Sequence, residues 1–245
     1  KISDATGGLP ILKTKAASTD TVDYGEVKDT GNRTDSLSSN LKLAIAGDSV
    51  SSTAMDLSSA DHDVTVDGVT VSTDESRLYG SSLRFISDET HRLTVEHADM
   101  AFGTGDFCVE FWVYNLKDKN YNAYVSTRET ANNTEAGWVI ASNTSGYLYV
   151  HSNNALAGEY ASNIKLPLNT WCHVAYTRAS GKHRLFLNGV AAANASTISR
   201  NYTEDKLCIG DNGYSQDEPI NAYMQDIRVY KGAAKYTTNF TPPNR

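Results

Sequence analysis

Residues 166–190 read LPLNTWCHVAYTRASGKHRLFLNGV. The stretch is two apolar-rich runs, TWCHVAYTR and HRLFLNG, joined by a short polar turn. Val, Tyr, Trp, Thr and Leu fill the runs, types that suit a pleated, half-buried strand. The second run ends in Asn188-Gly189, a dipeptide that supplies the two positive-φ positions of a tight hairpin turn. Trp171 and Val174 read as core, and His173 as a histidine hydrogen-bonded across strands. Asn188-Gly189 reads as turn chemistry alone.

The same pattern extends outward in both directions. LKLAIAG (41–47) alternates Leu41, Leu43 and Ile45 on one face, and DVTVDGVTVST (63–73) places two Val/Thr runs around Asp67-Gly68, the signature of a type I′ hairpin. Then follow SSLRFIS, HRLTVEH, DFCVEFWVYN, GWVIASN, GYLYVHS, KLCIGD and MQDIRVYKG, separated by Gly, Asn, Asp and Ser. Turns at roughly 8–12-residue intervals suit a sandwich. A further hairpin turn is expected over 143–146. No stretch carries a three-turn helical period. The expected fold is therefore all-β, a two-sheet antiparallel sandwich spanning 36–245. Phe111, Trp112, Val113, Leu185, Leu187, Ile209, Ile227 and Val229 are expected strand residues, mostly in its core. Residues 1–35 are rich in Gly, Thr, Asp and Lys and read as an extended arm, with Leu9, Ile11, Leu12 and Tyr24 as anchors on a neighbouring subunit.

Composition narrows the function. The chain has 245 residues, with 22 basic against 29 acidic side chains and a net charge of −7. An acidic chain without a Lys/Arg cluster does not track phosphates, so nucleic acid is excluded as a partner. No apolar window is long enough to span a bilayer as a helix. The three cysteines, Cys108, Cys172 and Cys208, are far apart, sit inside strand-like runs and lack metal-ligand spacing. They read as small buried hydrophobes, with a single disulfide between inward positions of neighbouring strands as the alternative. Asp106, beside Gly105, reads as an acceptor for backbone N–H groups at a strand entrance.

From Leu37 to Pro243 the order of motifs resembles the concanavalin A-like lectin/glucanase sandwich, laminin-G-like branch. SNLKLAIAG resembles its opening strand, RLYGSSLRFIS its small-Gly segment, and GTGDFCVEFWVYN its Asp-Phe strand ending near a Trp. LPLNTWCHVAYTR with HRLFLNGV is the most specific part, and KLCIGDN and AYMQDIRVYKG complete it. The resemblance implies a jelly-roll sandwich. It does not fix function, since this fold hosts lectins, glycosidases and adhesive modules. Glucanase relatives carry a Glu-x-Asp-x-x-Glu strand. No such string occurs here, and no nucleophile-elbow, zincin or nucleotide-loop motif is present. The chain is expected not to be an enzyme.

Two features could bind something. Asp226 in QDIRVY resembles the aspartate that helps hold a structural calcium in laminarinase-type relatives, with carbonyls and water completing the shell. The loop DNGYSQDEP, 211–219, offers carboxylates, an amide and Tyr214. The strand GYLYVHS adds Tyr147, Tyr149 and His151 on one face, with Trp138 opening the preceding strand. Acceptors for hydroxyls beside an aromatic ring are what a sugar site requires. The expected glycan contacts are Tyr147, Tyr149, His151, Asp211, Asn212 and Tyr214, with calcium at Asp226 shaping the nearby loop.

GGLPILKT, NRTDSLSSNLKLAIAGDS and the closing YKGAAKYTTNFTPP resemble units of tail-fibre and virion proteins of marine bacteriophages, cyanophages especially. That resemblance implies a virion surface component, tail, fibre or capsid appendage, contacting other subunits of a homo-oligomer and host-surface polysaccharide. The alternatives are a carbohydrate-binding module of a secreted protein and an atypical glycosidase. The Asn-x-Ser/Thr strings at Asn32, Asn132, Asn143, Asn194, Asn201 and Asn239 suit secretion, and a chain this rich in Asn, Ser and Thr also produces them by chance.

Overall fold

The computed structural model describes residues 35–50, 55–87, 90–119, 121–129, 136–152, 161–193, 197, 199–215 and 217–244. The expected arm, with its anchors Leu9, Ile11, Leu12 and Tyr24, lies outside them except for Asp35.

Fifteen strands are formed by the described residues: β1 (Leu41–Ile45), β2 (Thr65–Asp67), β3 (Thr70–Ser72), β4 (Ser82–Phe85), β5 (Arg92–Glu96), β6 (Phe107–Asn115), β7 (Asn122–Ser126), β8 (Val139–Ser142), β9 (Tyr147–His151), β10 (Ala161–Lys165), β11 (Trp171–Ala179), β12 (Lys182–Leu187), β13 (Val190–Ala191), β14 (Lys206–Ile209) and β15 (Ala222–Lys231). They make two antiparallel sheets. One runs β13-β12-β11-β6-β15-β4-β3 with β1 added on β15, and the other runs β10-β9-β8-β7-β14-β5-β2. The expected sandwich is what forms, because alternation gives each sheet one apolar face to bury against the other.

The shared core is built from those faces. Phe107, Val109, Phe111 and Val113 of β6 and Cys172, Val174 and Tyr176 of β11 meet Trp138, Ile140, Leu148, Val150, Leu207 and Ile209 of the opposing sheet. Phe102 stacks on Phe107 at 4.4 Å between ring centroids and on Trp138 at 5.8 Å. Trp138 is therefore the sandwich's central indole.

Several expectations change in detail. Asp67-Gly68 does not close a hairpin: β2 pairs with β5 in one sheet while β3 pairs with β4 in the other. Nor is the turn type I′: only Gly68, at φ +66°, is in the left-handed region, and the Val69 amide bonds back to Asp67 O in a tight turn that serves a crossing between sheets. Leu41 does not share a face with Leu43 and Ile45. A register shift between Leu41 and Leu43 turns Leu41 outward, into a cluster with Ala44, Cys108 and Tyr230. Trp171 and Trp112 also leave the inter-sheet core, because Cys172 and Val174 take the inward positions of β11. Both indoles lie on the outer face of the larger sheet, Trp112 buried with Ala46, Leu78 and Tyr79 and Trp171 half-buried against them.

Local expectations hold elsewhere. Asp106 Oδ1 accepts the amide of Ser180 at 2.8 Å. Asn143 Oδ1 accepts from the amides of Ser145 and Tyr147, and Gly146 at φ +78° closes that hairpin. The three cysteines are free and buried.

Part of the outer face of the larger sheet is covered by the segment 235–240, with Asp35 beside it. Tyr236 and Phe240 stack with centroids 3.4 Å apart, Phe240 lies edge-on to Phe186 at 5.3 Å, and Thr177 Oγ1 donates to Tyr236 O. Beneath them Glu110, fully buried, meets Lys235 Nζ at 2.7 Å and His173 Nε2 at 3.2 Å. Lys235 also reaches Asp35 at 3.1 Å. Burial alone would raise the Asp35 carboxyl, but Lys235 and Tyr230 together hold it below its ordinary value. His173 faces Glu110 across the β11–β6 pairing, but neither of its ring nitrogens makes a hydrogen bond, so the cross-strand hydrogen bond expected of it does not form.

Candidate functional site

The outer face of the smaller sheet carries the aromatic residues of β9. Alternation along β9 points Leu148 and Val150 into the core and leaves Tyr147, Tyr149 and His151 on the outer face. Tyr149 pairs with Ala141 of β8, and Ala141 pairs with Ala123 of β7. Two alanines and Val139 therefore make a low floor, and the Tyr149 ring packs on it half-buried. Tyr147 stands at the sheet margin, paired with Lys165 and 42% exposed.

The loop after β14 rises beside this floor. Glu218 O accepts the Ala123 amide at 2.9 Å, pinning the loop to β7. Asp211 Oδ1 accepts the amides of Asn212 at 2.7 Å and Glu218 at 3.2 Å. Asn212 Nδ2 donates to Ser215 Oγ at 2.8 Å and Asp217 Oδ1 at 2.7 Å, and its carbonyl accepts from Ser126 Oγ. Asp211 and Asn212 are buried. The sequence offered both as glycan contacts; in the structure their side chains are engaged within the loop, which they organise.

Ser215 and Asp217 of the loop are exposed, and Tyr214 and Glu218 are half-buried at its surface. The Arg128 guanidinium lies 4.9 Å from the Tyr214 ring centroid, a cation–π contact that braces the ring. Burial raises the Tyr149 hydroxyl's pKa, Glu218, Tyr121 and Tyr214 add to the rise, and Arg128 opposes it. These side chains thus share one electrostatic neighbourhood. Burial also pushes the Glu218 carboxyl up to about 7, with Arg128 opposing and Asp217 and Asp211 adding to the rise. Of the expected contacts, Tyr149 lies within electrostatic reach of Tyr214, Tyr147 and His151 share its strand face, and Trp138 belongs to the core. Arg128 and Glu218 were not singled out from the sequence. Glu218 lay in the right loop, but nothing in STRET marked Arg128.

A family model described as the concanavalin A-like lectin/glucanases superfamily matches residues 87–236, more than half of the chain. The chain belongs to that superfamily. No curated protein sequence matches it. Among solved structures, the lectin/glucanase sandwich is similar to domain 4 of AbnA, an extracellular arabinanase from Geobacillus stearothermophilus solved with arabinotriose. The TM-score is 0.62 at 15% identity, over 80% of this chain and 94% of that one. It also resembles the binding domain of botulinum neurotoxin DC in complex with SialylT, at TM-score 0.55 and 16% identity, over 80% of this chain and 48% of that one. A third likeness is to Trypanosoma rangeli sialidase with the inhibitor DANA, at TM-score 0.56 and 12% identity, over 78% of this chain and 30% of that one. This chain thus spans about half of the toxin binding domain and a third of the sialidase.

The calcium expected at Asp226 was tested against its donors. Asp226 sits on β15 at a register shift with φ +51°, and its Oδ1 accepts from Arg228 Nε at 2.7 Å and Tyr79 OH at 3.1 Å. Calcium needs six to eight oxygens at about 2.3–2.6 Å. Here a dication would press against a buried guanidinium that already supplies the counter-charge, so the residues present do not fit it. Asp226 is also on the larger sheet, separated from the 211–218 loop by the core, so it does not shape that loop.

Proposed function

We propose that this chain is a non-enzymatic glycan-binding sandwich whose binding face is the outer side of the smaller sheet, centred on Tyr149, Tyr214, Glu218 and Arg128. The observation that carries this reading is that two half-buried tyrosines share one electrostatic neighbourhood with a carboxyl and a guanidinium beside a floor of alanines. A sugar ring stacks its C–H face on an aromatic plane while its hydroxyls take charged donors and acceptors at the rim. The neighbours solved with arabinotriose and with SialylT lend support of a general kind.

The display setting is a virion surface, on the strength of the closing string YKGAAKYTTNFTPP and its resemblance to bacteriophage fibre units. In that setting each site binds weakly and repetition in a homo-oligomer raises the effective concentration. Bare Asn residues in chain recovered from purified particles support this setting. Hexose on them would move the protein to the secreted class.

One observation favours a second reading. A carboxyl near pKa 7 is what a glycosidase's general acid needs. A glycosidase also needs a paired carboxylate, however. Asp211 is bound to two backbone amides and Asp217 to Asn212 and Ser215, which favours a binding role.

The test is adsorption of labelled protein to host-surface polysaccharide by wild type, Tyr149→Ala, Tyr214→Ala and the off-face control Val190→Ala, together with hydrolysis of a glycan panel. Loss of adsorption in both tyrosine variants alone supports the reading. Equal adsorption by all four overturns it, and hydrolysis abolished by Glu218→Gln establishes the glycosidase instead.

A further inference from the structure

A second cluster lies away from the tyrosine face, where the loop before β2 meets the turn after β5. His62 Nε2 is 3.2 Å from Asp99 Oδ2, and His97 Nδ1 is 3.5 Å from the same oxygen. The ligand atoms of all three residues lie within 4.8 Å of one another, and the imidazole centroids are 4.2 Å apart. They line a groove of about 530 Å³ that also receives Asp63, Glu96 and Lys42. We propose that His62, His97 and Asp99 form a binding site for a divalent transition metal of the zinc class, with its remaining coordination positions open to this groove.

Geometry argues first. Zinc bonds of about 2.0–2.2 Å in a tetrahedron set neighbouring ligand atoms roughly 3.3–3.6 Å apart. Two of the three separations, 3.2 and 3.5 Å, are close to that edge length, and the third lies within 4.8 Å. Ligand chemistry argues second. Two imidazole nitrogens and one carboxylate suit zinc, copper or nickel, whereas calcium and magnesium take oxygen shells. Three protein ligands leave a position for water or for an oxygen of a bound molecule.

The scaffold holds the ligands in place. Buried Asp56 accepts the His62 amide at 2.8 Å, the Ser58 amide at 2.9 Å and the Ala44 amide at 3.0 Å, tying the His62 loop to β1. Lys231 Nζ donates to Ala98 O at 2.7 Å and fastens the turn that carries Asp99. His97 Nδ1 accepts the Asp99 amide at 3.1 Å, a hydrogen bond that metal binding would replace. That exchange is modest, because the His97 side chain is 52% exposed and water can take up the amide. The sequence hid this site: DHD at 61–63 and EHAD at 96–99 are separated by more than thirty positions and become neighbours only through the β2–β5 pairing.

The experiment uses the full chain without added histidines, stripped with a chelator and titrated calorimetrically with zinc sulfate. Uptake of one equivalent is expected, weakened about tenfold or more by His97→Ala and by Asp99→Asn and unchanged by the surface variant Asp74→Asn. Circular dichroism of His97→Ala, an exposed position, checks that the fold is kept. Cobalt(II) should bind in zinc's place and give visible absorption bands that His97→Ala abolishes. No uptake, uptake indifferent to His97→Ala, or displacement of zinc by calcium would each overturn the proposal.

Discussion

Glu110 Oε1 and Lys235 Nζ stand 2.7 Å apart although 125 residues separate them in the chain. The contact fastens the closing segment to the centre of the larger sheet, and Asp35 joins from the opposite end of the chain at 3.1 Å from the same ammonium. A carboxylate this deeply buried needs its partner, because an uncompensated charge in the interior is strongly destabilising. Lys235→Met is expected to cost about 3–5 kcal/mol in urea denaturation. Glu110→Gln/Lys235→Met should recover much of that loss, which distinguishes charge compensation from simple packing.

The pH dependence of the same cluster has a definite sign. Asp35 is held below its ordinary value of 3.8, so its stabilisation is present above that value and is lost as pH falls through the lowered one. Burial alone would lower Lys235, but Glu110 and Asp35 raise it above 10.5, so its share is present below 10.5 and disappears as pH rises through the raised value. Thermal melts of wild type against Asp35→Asn should differ at neutral pH and converge in acid.

The indoles separate by layer. Trp138, fully buried in the inter-sheet core, should cost about 3–5 kcal/mol on truncation to Ala. Half-buried Trp171 should cost clearly less. Equal losses would place Trp171 in the core, as its sequence context first suggested.

Gly189 does more than turn the chain. A Cβ there would lie 1.9 Å from Phe240 O, and the glycine is at φ +78°. Gly189→Ala should therefore lift the closing segment from β12 as well as strain the turn. Faster proteolysis near 240 with the sandwich intact would be the signature.

Glu218 links stability to binding. Its folded-state pKa of about 7 lies above the ordinary 4.5, so the fold holds the proton more tightly and loses stability as pH rises from about 4.5 to 7. Glu218→Gln should raise the melting temperature at pH 8 and leave it unchanged at pH 4. If the ionised carboxylate accepts sugar hydroxyls, wild-type adsorption should strengthen as pH rises through about 7, and the variant's should not.

Arg228 beside Asp226 carries a separate expectation. Neither calcium nor a calcium chelator should shift the melting temperature or change polysaccharide adsorption. A calcium-dependent rise abolished by Asp226→Asn would restore the ion to that site.

Much was legible because it is local. Strand-forming residue types located β6, β11 and β15, and period-two alternation gave β9 its faces, but Trp112 and Trp171 were assigned the wrong side because β6 and β11 are buried on both. Asp106 and the 143–146 turn were also readable, because their hydrogen bonds close within short loops or at strand entrances. The loop 211–219 was recognised as polar and aromatic, and β9 as a tyrosine face, from composition alone.

That this chain folds as a sandwich of antiparallel sheets was readable residue by residue, because alternation and turn chemistry act between near neighbours. Which faces remain exposed depends on long-range packing. A one-residue shift at Leu41 reverses a side, a glycine turn at 67–68 serves a sheet crossing, and the closing segment covers part of the larger sheet. Such choices rest on contacts between residues far apart in the chain. They bury Asp211 and Asn212, leave Tyr214 half-buried within electrostatic reach of Tyr149, and bring His62 to Asp99, none of which spacing along the chain can encode.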